Sequence, residues 1–399
     1  MKNLFKTNKI ELTGMTKKIN IKGKIKVYPV YKIALTELYY NNQNDRIATQ
    51  ICEYKDKINK DVFSVDYENI EEYNEIVAEF IKESNKEAFL KTMNNIKRFS
   101  QLEAGVVTTD GRIIDGNRRF TCLRELSKNN HDFNYFNAVI LDENEYTPKD
   151  IKQLELQIQH GHEDKVGYDI IDRCVGIYND VLKDGHMFTK EEYCRYTDMK
   201  MIELNKLIEK TNLINEFLEY MGAKEKFHVA KKLEIDGPIS ELLSVKKNSS
   251  DWEKLKIITF DNIILKTDKD ITRYIRDLKK YTKENLDEYL DEHKKTSKEL
   301  HEKLDNLEEI TAENIINEIR NDQDLKKRAK KVYDKYTDKG KIKEVRNQPV
   351  KLLEKVVILL DEVDEDHINR MEQEEKEAYI ENIELIQKKL NEIKKLYKK

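Results

Sequence analysis

The residues with the clearest chemical potential lie between positions 105 and 120. Two short apolar runs lead there to Asp115 and Gly116, and glycine permits a tight turn with close backbone approach to a ligand. A helix is predicted to follow, with Arg118 and Arg119 in its first turn. Unpaired backbone N–H groups, the positive end of the helix dipole and two guanidinium groups all favour an anion. The segment therefore predicts a phosphate site, unless Asp115 caps the helix and the arginines lie on the surface or pair with acids.

The elements that must position these residues are predicted to form a small α+β domain. Asp110-Gly111 is a typical hairpin turn, and it separates two short β-rich runs. Alternating and helical spacings of apolar residues supply the other elements. Strands are predicted at 24–28, 105–109, 112–114 and 138–141, and helices at 67–83, 86–99 and 117–126.

The order of strand, Asp-Gly-Asn-Arg-Arg and helix resembles the nucleotide-binding motif of the ParB/sulfiredoxin superfamily, whose members carry Gly-Glu-Arg-Arg or Gly-Cys-His-Arg there. Weaker likenesses occur in the family's order at residues 33–46, 93–97 and 155–160, so the resemblance covers roughly residues 24–215. It implies a ParB/sulfiredoxin-like fold that binds a nucleoside triphosphate, CTP or ATP, with Mg²⁺ as a further candidate. The implied contacts are Arg46, Asp115, Gly116, Asn117, Arg118, Arg119, Gln157 and His160.

Two departures from the family pattern limit the chemistry that the resemblance implies. Asn117 occupies the place of the sulfiredoxin cysteine, and Cys122 lies a helical turn further on, so reduction of a sulfinic acid is not expected. Leu156 and Gln157 replace the glutamate and asparagine of the family's box near the phosphates and metal. Mg²⁺ dependence and hydrolysis therefore stay open, with Glu155 as the substitute carboxylate. No catalytic residue is assigned.

Histidine and cysteine spacings predict no metal site. The histidines and acids of residues 160–164 form a cluster, but no third histidine or paired cysteine lies at a standard spacing. In the family comparison His160 stands where an arginine often contacts phosphate. The four cysteines are far apart and form no CxxC pair, which argues against a zinc ribbon or a disulfide framework and is typical of a reducing cytoplasm.

Residues 188–208 predict a helix, a short turn and a second helix. Thr189 and Glu192 form a capping box for the first helix, and the second helix has an apolar face. In the ParB family a helix-turn-helix follows the nucleotide domain, so the resemblance implies DNA contacts from the second helix. An ordinary helical hairpin gives the same pattern, and both interpretations stay open. The DNA-contacting candidates are Lys200, Asn205, Lys206 and Lys210.

Charge, glycine and proline divide the rest of the chain. Eight lysines and one acid among residues 1–26 predict a basic arm, which is either a phosphate-contacting segment or a solvated leader or edge strand. After Pro238 only Gly340 and Pro349 interrupt the chain, which predicts helices. The predicted order is a basic arm at 1–23, a ParB/sulfiredoxin-like domain at 24–150, a helical region with the helix-turn-helix at 151–235 and a helical C-terminal domain at 236–399.

The final helix carries an apolar stripe with alternating four- and three-residue steps, as a packing seam requires. The stripe is short for a coiled coil, so a helix packed in a bundle is favoured, and a homodimer through this region is the alternative. The stripe consists of Tyr379, Ile383, Ile386, Leu390, Ile393 and Tyr397.

Composition sets the remaining expectations. With 73 basic and 77 acidic residues the net charge is −4, so no global field draws the chain to nucleic acid or membranes. Neither a signal peptide nor an apolar run of about 20 residues is present, which predicts a cytoplasmic protein without a membrane partner.

The function that these observations favour is that of a ParB-like nucleotide-dependent DNA-binding protein of a bacterial, plasmid or phage system, acting in segregation, regulation or phage defence. One alternative is a ParB-fold enzyme, such as a nuclease, an ATPase or a kinase. The other is a helical scaffold with a ligand-free ParB-like domain.

Overall fold

The computed structural model describes residues 3–58, 69–161, 169–246, 251–282 and 285–397, with side chains for all of these except 160–161, 281–282 and 397. The chain is an α+β protein, in which a six-stranded mixed sheet occupies the N-terminal part and the remainder is mostly helical. The predicted fold class is confirmed at this level. None of the helices in these ranges is long and apolar enough to cross a bilayer.

The sheet contains six strands whose order in space differs from their order in the chain. They are β1 (Ile10–Ile21), β2 (Lys24–Ala34), β3 (Tyr39–Tyr40), β4 (Gly105–Thr108), β5 (Arg112–Asp115) and β6 (Tyr135–Leu141). The spatial order is β1-β2-β6-β4-β5-β3, with β4 parallel to β6, β3 parallel to β5 and the other pairs antiparallel. The β4–β5 hairpin turns at Asp110-Gly111 as predicted, and a Cβ at Gly111 would collide with the carbonyl oxygen of Glu37.

Seventeen helices within the described ranges surround and follow the sheet. They are α1 (Ala48–Ile58), α2 (Ile70–Ser84), α3 (Lys86–Phe99), α4 (Asn117–Ser127), α5 (Pro148–Gly161), α6 (Ile170–Ile177), α7 (Lys190–Thr197), α8 (Met201–Tyr220), α9 (Phe227–Lys232), α10 (Asp236–Lys246), α11 (Trp252–Leu265), α12 (Ile271–Thr282), α13 (Leu286–Asp305), α14 (Ala312–Asn314), α15 (Gln323–Asp361), α16 (Glu365–Asn369) and α17 (Gln373–Tyr397). The helices predicted at 86–99 and 117–126 are confirmed as α3 and α4. The helix predicted at 67–83 is confirmed as α2 over residues 70–84, and its first two residues lie outside the described ranges.

Alternate residues of the central strands face two different helical layers. Val107 and Ile113 pack with α2, α3 and α4 on one face of the sheet. Their neighbours Val106 and Ile114 pack with α5 on the other face. Because successive side chains of a strand point to opposite faces, these paired apolar residues fill both layers.

The helical part of the chain has a core of its own. One large apolar cluster is formed by α6, by the helices from α8 through α14 and by the first half of α15. A smaller cluster joins α5 to the hairpin of α7 and α8 through Leu156, Tyr193 and Leu204. The hairpin is therefore fixed to the same helix that covers one face of the sheet.

The region expected to be a basic arm is mostly the edge strand β1. Ile19 and Ile21 are buried, and the Lys17 ammonium donates to the Ala104 carbonyl at 2.6 Å. Of the two interpretations left open by the sequence, the edge strand is the one that describes residues 10–21.

The C-terminal helices leave apolar side chains uncovered within the chain. Thr337 is the last buried residue of α15, and the helix then continues for more than twenty residues. In α17, Ile383 and Ile386 are half-buried, whereas Leu390 and Ile393 are 40% and 45% exposed. Bundle packing of this stripe is therefore wrong for the part of the chain that the structure describes, because its members contact too little of the core to be covered.

Candidate anion-binding site

A cavity of about 280 Å³ lies where β5 passes into α4, and we call it the anion pocket. Residues from α2, α3, α5 and the turn at 44–47 complete its wall. Six of the eight predicted nucleotide contacts line it: Arg46, Asp115, Gly116, Asn117, Arg118 and Arg119. The fold therefore brings together a turn and a helix terminus that are some seventy positions apart in the chain.

Gly116 gives the backbone its turn into α4. Its φ of 100° is left-handed, and a Cβ there would lie 2.8 Å from the ring of Phe136. Gly116 is also the N-cap, and no side chain caps the helix. The capping role considered for Asp115 is therefore wrong, and the first-turn N–H groups of α4 are left without a side-chain acceptor.

Arg118 is half-buried at the pocket wall. It forms neither a hydrogen bond nor an ion pair with any residue in the described part of the chain. Burial and then the nearby charge of Arg46 lower the pKa of its guanidinium, with a smaller contribution from Arg119. An arginine that is partly desolvated, repelled by two others and without an acid is electrostatically unsatisfied. A bound anion would supply the missing counter-charge and so offset both the cost of burial and the repulsion between the arginines.

Arg119 differs from its neighbour because it already has acidic partners. Its guanidinium donates to Asp115 at 3.0 Å and to Glu103 at 2.8 Å. Lys17 of β1 also lies 3.4 Å from the Asp115 carboxylate. For Arg119 the geometry therefore matches the alternative in which an arginine pairs with acids. The Asp115 carboxylate points toward Arg119 and Lys17.

Arg46 sits in a short 3₁₀ turn, Asp45–Ile47, and its backbone N–H donates to the side-chain oxygen of Asn44 at 3.1 Å. It lines the anion pocket and also a second cavity of about 530 Å³. The two cavities share Arg46, Ser84 and Arg118, so they adjoin at the arginines. Lys231 and Lys232 of α9 lie on the far wall of the second cavity.

The residues that α5 contributes to the pocket differ from the predicted ones. Gln159 and Ile158 line the pocket, whereas Gln157 does not, and the Oε1 atom of Gln157 is buried without a hydrogen-bond partner. Gln159 donates to Glu155 at 2.9 Å. The four-residue spacing of these two residues puts them on one helix face, which is the signal that could have identified Gln159. The side chain of His160 lies outside the described residues.

A buried group of charges lies behind Arg46, and sequence analysis missed it. We call it the Lys152 cluster, and it consists of Asp45, Lys152, Glu155 and Asp180. The Lys152 ammonium lies 3.0 Å from Asp45 and 3.7 Å from both Glu155 and Asp180. Asp180 belongs to a π-helical turn at 178–182 that continues α6, and such turns are frequent at functional sites.

Burial dominates the electrostatics of the Lys152 cluster. It raises the pKa values of Glu155 and Asp180 to about 7, and Lys152 opposes this shift only in part because one ammonium faces three carboxyl groups. The three carboxyl groups raise the pKa of Lys152, so it stays an ammonium. Glu155 also accepts a hydrogen bond from Asn41 at 3.1 Å, and it does not line the anion pocket.

A larger cavity of about 970 Å³ lies between the sheet edge and helices α2 and α4. It differs from the anion pocket in the pairing of its charged residues. Several of its charged residues pair with one another: Lys82 contacts Glu79 at 2.7 Å and Glu125 at 2.8 Å, and Arg124 pairs with Glu71. These cations already have acidic partners within the chain, whereas Arg118 in the smaller anion pocket has none among the described residues.

The predicted helix-turn-helix segment forms α7 and α8. The capping box of Thr189 and Glu192 is confirmed. Lys200, Asn205 and Lys206 are exposed, whereas Lys210 is only partly exposed and pairs with Asp236. Three of the four DNA-contacting candidates therefore face solvent.

Comparison of the chain with models of protein families, with curated proteins and with solved structures finds no match.

Proposed function

We propose that the chain is a ParB-like nucleotide-dependent DNA-binding protein that holds the phosphates of a nucleoside triphosphate in the anion pocket. Arg118 is the observation that carries this proposal, because its half-buried guanidinium lies beside Arg46 without an acidic partner in the described ranges. A polyphosphate would supply the missing negative charge and accept bidentate contacts from the arginines. The uncapped first turn of α4 would donate backbone N–H groups to the same phosphates.

The second cavity gives such a ligand room for its sugar and base. It is larger than the anion pocket, and it opens from the same two arginines. Its wall carries both acids and lysines, including Lys232, which pairs with Glu53 at 2.6 Å and with Glu313 at 2.8 Å. This polar lining suits hydroxyl groups and a heterocyclic base.

Helix α5 offers a physical link between ligand and DNA. Gln159 lies at the anion pocket, and Leu156, less than one turn away, is buried against the α7–α8 hairpin. A ligand that draws Gln159 inward would shift the same helix on which the hairpin rests. The exposed Lys200 and Lys206 would then contact the DNA backbone.

Self-association through the C-terminal helices belongs to the same proposal, with a second copy of this chain as the partner. The exposed part of α15 presents an apolar groove that includes Val350, Leu353 and Val357. Residues 341–355 carry five basic and two acidic residues, whereas residues 372–384 of the α17 region carry six acidic residues and one basic residue. Pairing between copies would cover the apolar groove and bring these opposite charges together.

The first experiment measures binding of inorganic pyrophosphate, ATP, CTP and GTP to the full chain, with and without Mg²⁺, by calorimetry. We expect at least one nucleotide to bind more tightly than pyrophosphate. Because hydrogen bonds to charged groups contribute ~1.5–3 kcal/mol, Arg118→Gln should weaken binding roughly 10- to 150-fold. Failure of all four compounds to bind the folded wild-type chain would refute the site.

Arg119→Gln is the matched control, since it removes the same charge from the adjacent position. It breaks the contacts to Asp115 and Glu103, so we expect a lower melting temperature with a smaller loss of affinity. Arg118→Gln should leave the ligand-free melting temperature unchanged or raise it, because it removes repulsion from Arg46. The reverse pattern would assign the ligand to Arg119.

An NTP-hydrolysing enzyme is the second candidate, and the Lys152 cluster favours it. Carboxyl groups with pKa values near neutrality can exchange protons at physiological pH, and Glu155 is connected to the pocket through Gln159. Release of phosphate from bound nucleotide in the presence of Mg²⁺ would select this function. Stoichiometric nucleotide binding without turnover would select nucleotide-dependent DNA binding instead.

A further inference from the structure

Three side chains of metal-binding type meet between α1 and α9, apart from the anion pocket. Cys52 and Asp56 lie four positions apart on α1 and so share one helix face, and His228 lies on α9. One ligand atom from each residue, a thiol sulfur, a carboxylate oxygen and a ring nitrogen, lies within 4.8 Å of the other two. The His228 Nε2 atom is 3.5 Å from the Asp56 Oδ2 atom.

The polar atoms of the three groups are only partly satisfied by the residues that the structure describes. His228 is 6% exposed, and its Nδ1 atom is buried without a hydrogen-bond partner. The Asp56 Oδ2 atom is likewise buried without a hydrogen bond. The Cys52 thiol donates to the Glu225 carbonyl over a long sulfur–oxygen distance of 3.8 Å, and its sulfur also receives the His228 backbone N–H. Buried polar groups are normally satisfied, so the two neighbouring atoms without a hydrogen bond, in His228 and Asp56, together with the long bond of Cys52, call for a ligand.

We propose that Cys52, Asp56 and His228 bind a zinc ion. Thiolate, imidazole and carboxylate together form a ligand set that zinc accepts, whereas magnesium and calcium select oxygen ligands alone. Metal–ligand bonds of about 2.0–2.3 Å in tetrahedral geometry place ligand atoms roughly 3.3–3.8 Å apart. The separation of 3.5 Å between His228 and Asp56 fits this range, and small side-chain rotations bring in the Cys52 sulfur.

One cation lies near the site and must be accounted for. The Lys226 ammonium is 3.4 Å from Asp56 Oδ2, but it has a closer partner in Glu309 at 2.9 Å. Asp56 can release Lys226 to this second acid when a divalent ion binds. The metal would then join α1 to α9, which are also linked by the ion pair of Glu53 with Lys232 and by the hydrogen bond from Lys231 to Thr49.

Three protein ligands leave the fourth zinc position open. His228 also lines the second cavity, which is shared with Arg46 and Arg118, so the ion would lie at its wall. Zinc sites with three protein ligands and an open position are typical of catalytic or ligand-binding metals. The zinc proposal does not depend on nucleotide binding, because none of its three residues lines the anion pocket and the metal titration is made without nucleotide.

The test uses the full chain after metal removal by a chelator, titrated with Co²⁺ as a spectroscopic substitute and then with Zn²⁺. We expect one equivalent of Co²⁺ to give the absorption of a tetrahedral site, with a sulfur-to-cobalt charge-transfer band that Zn²⁺ displaces. Cys52→Ser should abolish that band, and His228→Gln should weaken Zn²⁺ affinity roughly 100-fold. Circular dichroism of each metal-free variant establishes that it is folded.

Cys194→Ser is the matched control, because Cys194 is a half-buried cysteine on α7 outside the cluster. Its binding should equal that of the wild type. The proposal is wrong if the wild type binds neither ion, or if Cys52→Ser and Cys194→Ser have the same effect. It is also overturned if His228→Gln binds normally while His160→Ala with His162→Ala does not, since the metal would then belong to residues 160–164.

Discussion

Replacing Lys152 with methionine tests whether the Lys152 cluster holds α5 and the Arg46 turn together. Lys152 is 4% exposed, and its ammonium donates to the Gln43 carbonyl and to Asp45, both at 3.0 Å. Methionine keeps most of the side-chain volume but removes the charge. Three carboxyl groups would then remain buried without a cation. Removal of one partner from a buried ionic group costs about 3–5 kcal/mol of unfolding free energy, and we expect a loss of that size at pH 8.

The dependence of this loss on pH follows from the direction of the pKa shifts. In the folded chain Glu155 and Asp180 keep their protons to about pH 7, whereas in the unfolded chain they lose them near pH 4. The folded state therefore binds more protons between about pH 4 and 7, and its stability from this source falls as the pH rises. Without Lys152 the repulsion increases, so the effect of the variant should be smaller at pH 5, where the carboxyl groups are protonated.

Urea unfolding at pH 5 and pH 8, followed by circular dichroism, measures both effects. Lys149→Met is the matched control, since Lys149 lies on the same helix but is 44% exposed in its pair with Glu192. It should change stability by less than about 1 kcal/mol at either pH. Equal losses of unfolding free energy for the two variants would refute the stabilising role of the Lys152 cluster. A Lys152→Met loss that is the same at both pH values would refute the protonation of its buried carboxyl groups.

Three further predictions concern the pocket, the hairpin and the C-terminal helices. Gly116→Ala combines a left-handed φ with a steric clash, so thermal unfolding should show a loss of at least about 1 kcal/mol and pyrophosphate titration a weaker affinity. In duplex DNA binding measured against salt, Lys200→Ala and Lys206→Ala should each lower the slope by about one, whereas Lys210→Ala should not, because Lys210 is already paired. Removal of residues 375–399 should lower the number of chains per particle in sedimentation equilibrium without changing nucleotide affinity; the same oligomeric state before and after truncation would contradict self-association.

Local signals in the sequence were sufficient for the elements that form the pocket. The Asp110-Gly111 turn, the β-rich runs beside it and the uninterrupted helical spacing of residues 86–99 are each set by neighbouring residues. Gly116 could be identified because a turn into a helix needs a backbone conformation that other residues avoid. These features were therefore predictable from one sequence.

Long-range partners decided what the sequence could not show. Lys152 has the spacing of an exposed helix residue, and only Asp45 and Asp180, which are distant in the chain, explain its burial. Arg118 and Arg119 look equivalent in sequence, but the fold places Glu103 beside Arg119 alone. In the proposed zinc site, His228 is more than 170 positions from Cys52 and Asp56, so no motif spacing could have indicated these residues.

The place of β6 between β2 and β4 has a consequence for the order in which the chain folds. β1 with β2, and β4 with β5, are local hairpins, but neither can join the other until β6 pairs with both. Val139 pairs with Val30, more than a hundred positions earlier, and also with Val106. Two hairpins that emerge early from the ribosome must therefore wait, with open edges, for residues 135–141 to be synthesised. Because pairings between distant segments require a costly loop closure, we expect insertion of β6 to limit the folding rate, and substitutions at Val139 to slow folding more than those in either hairpin turn.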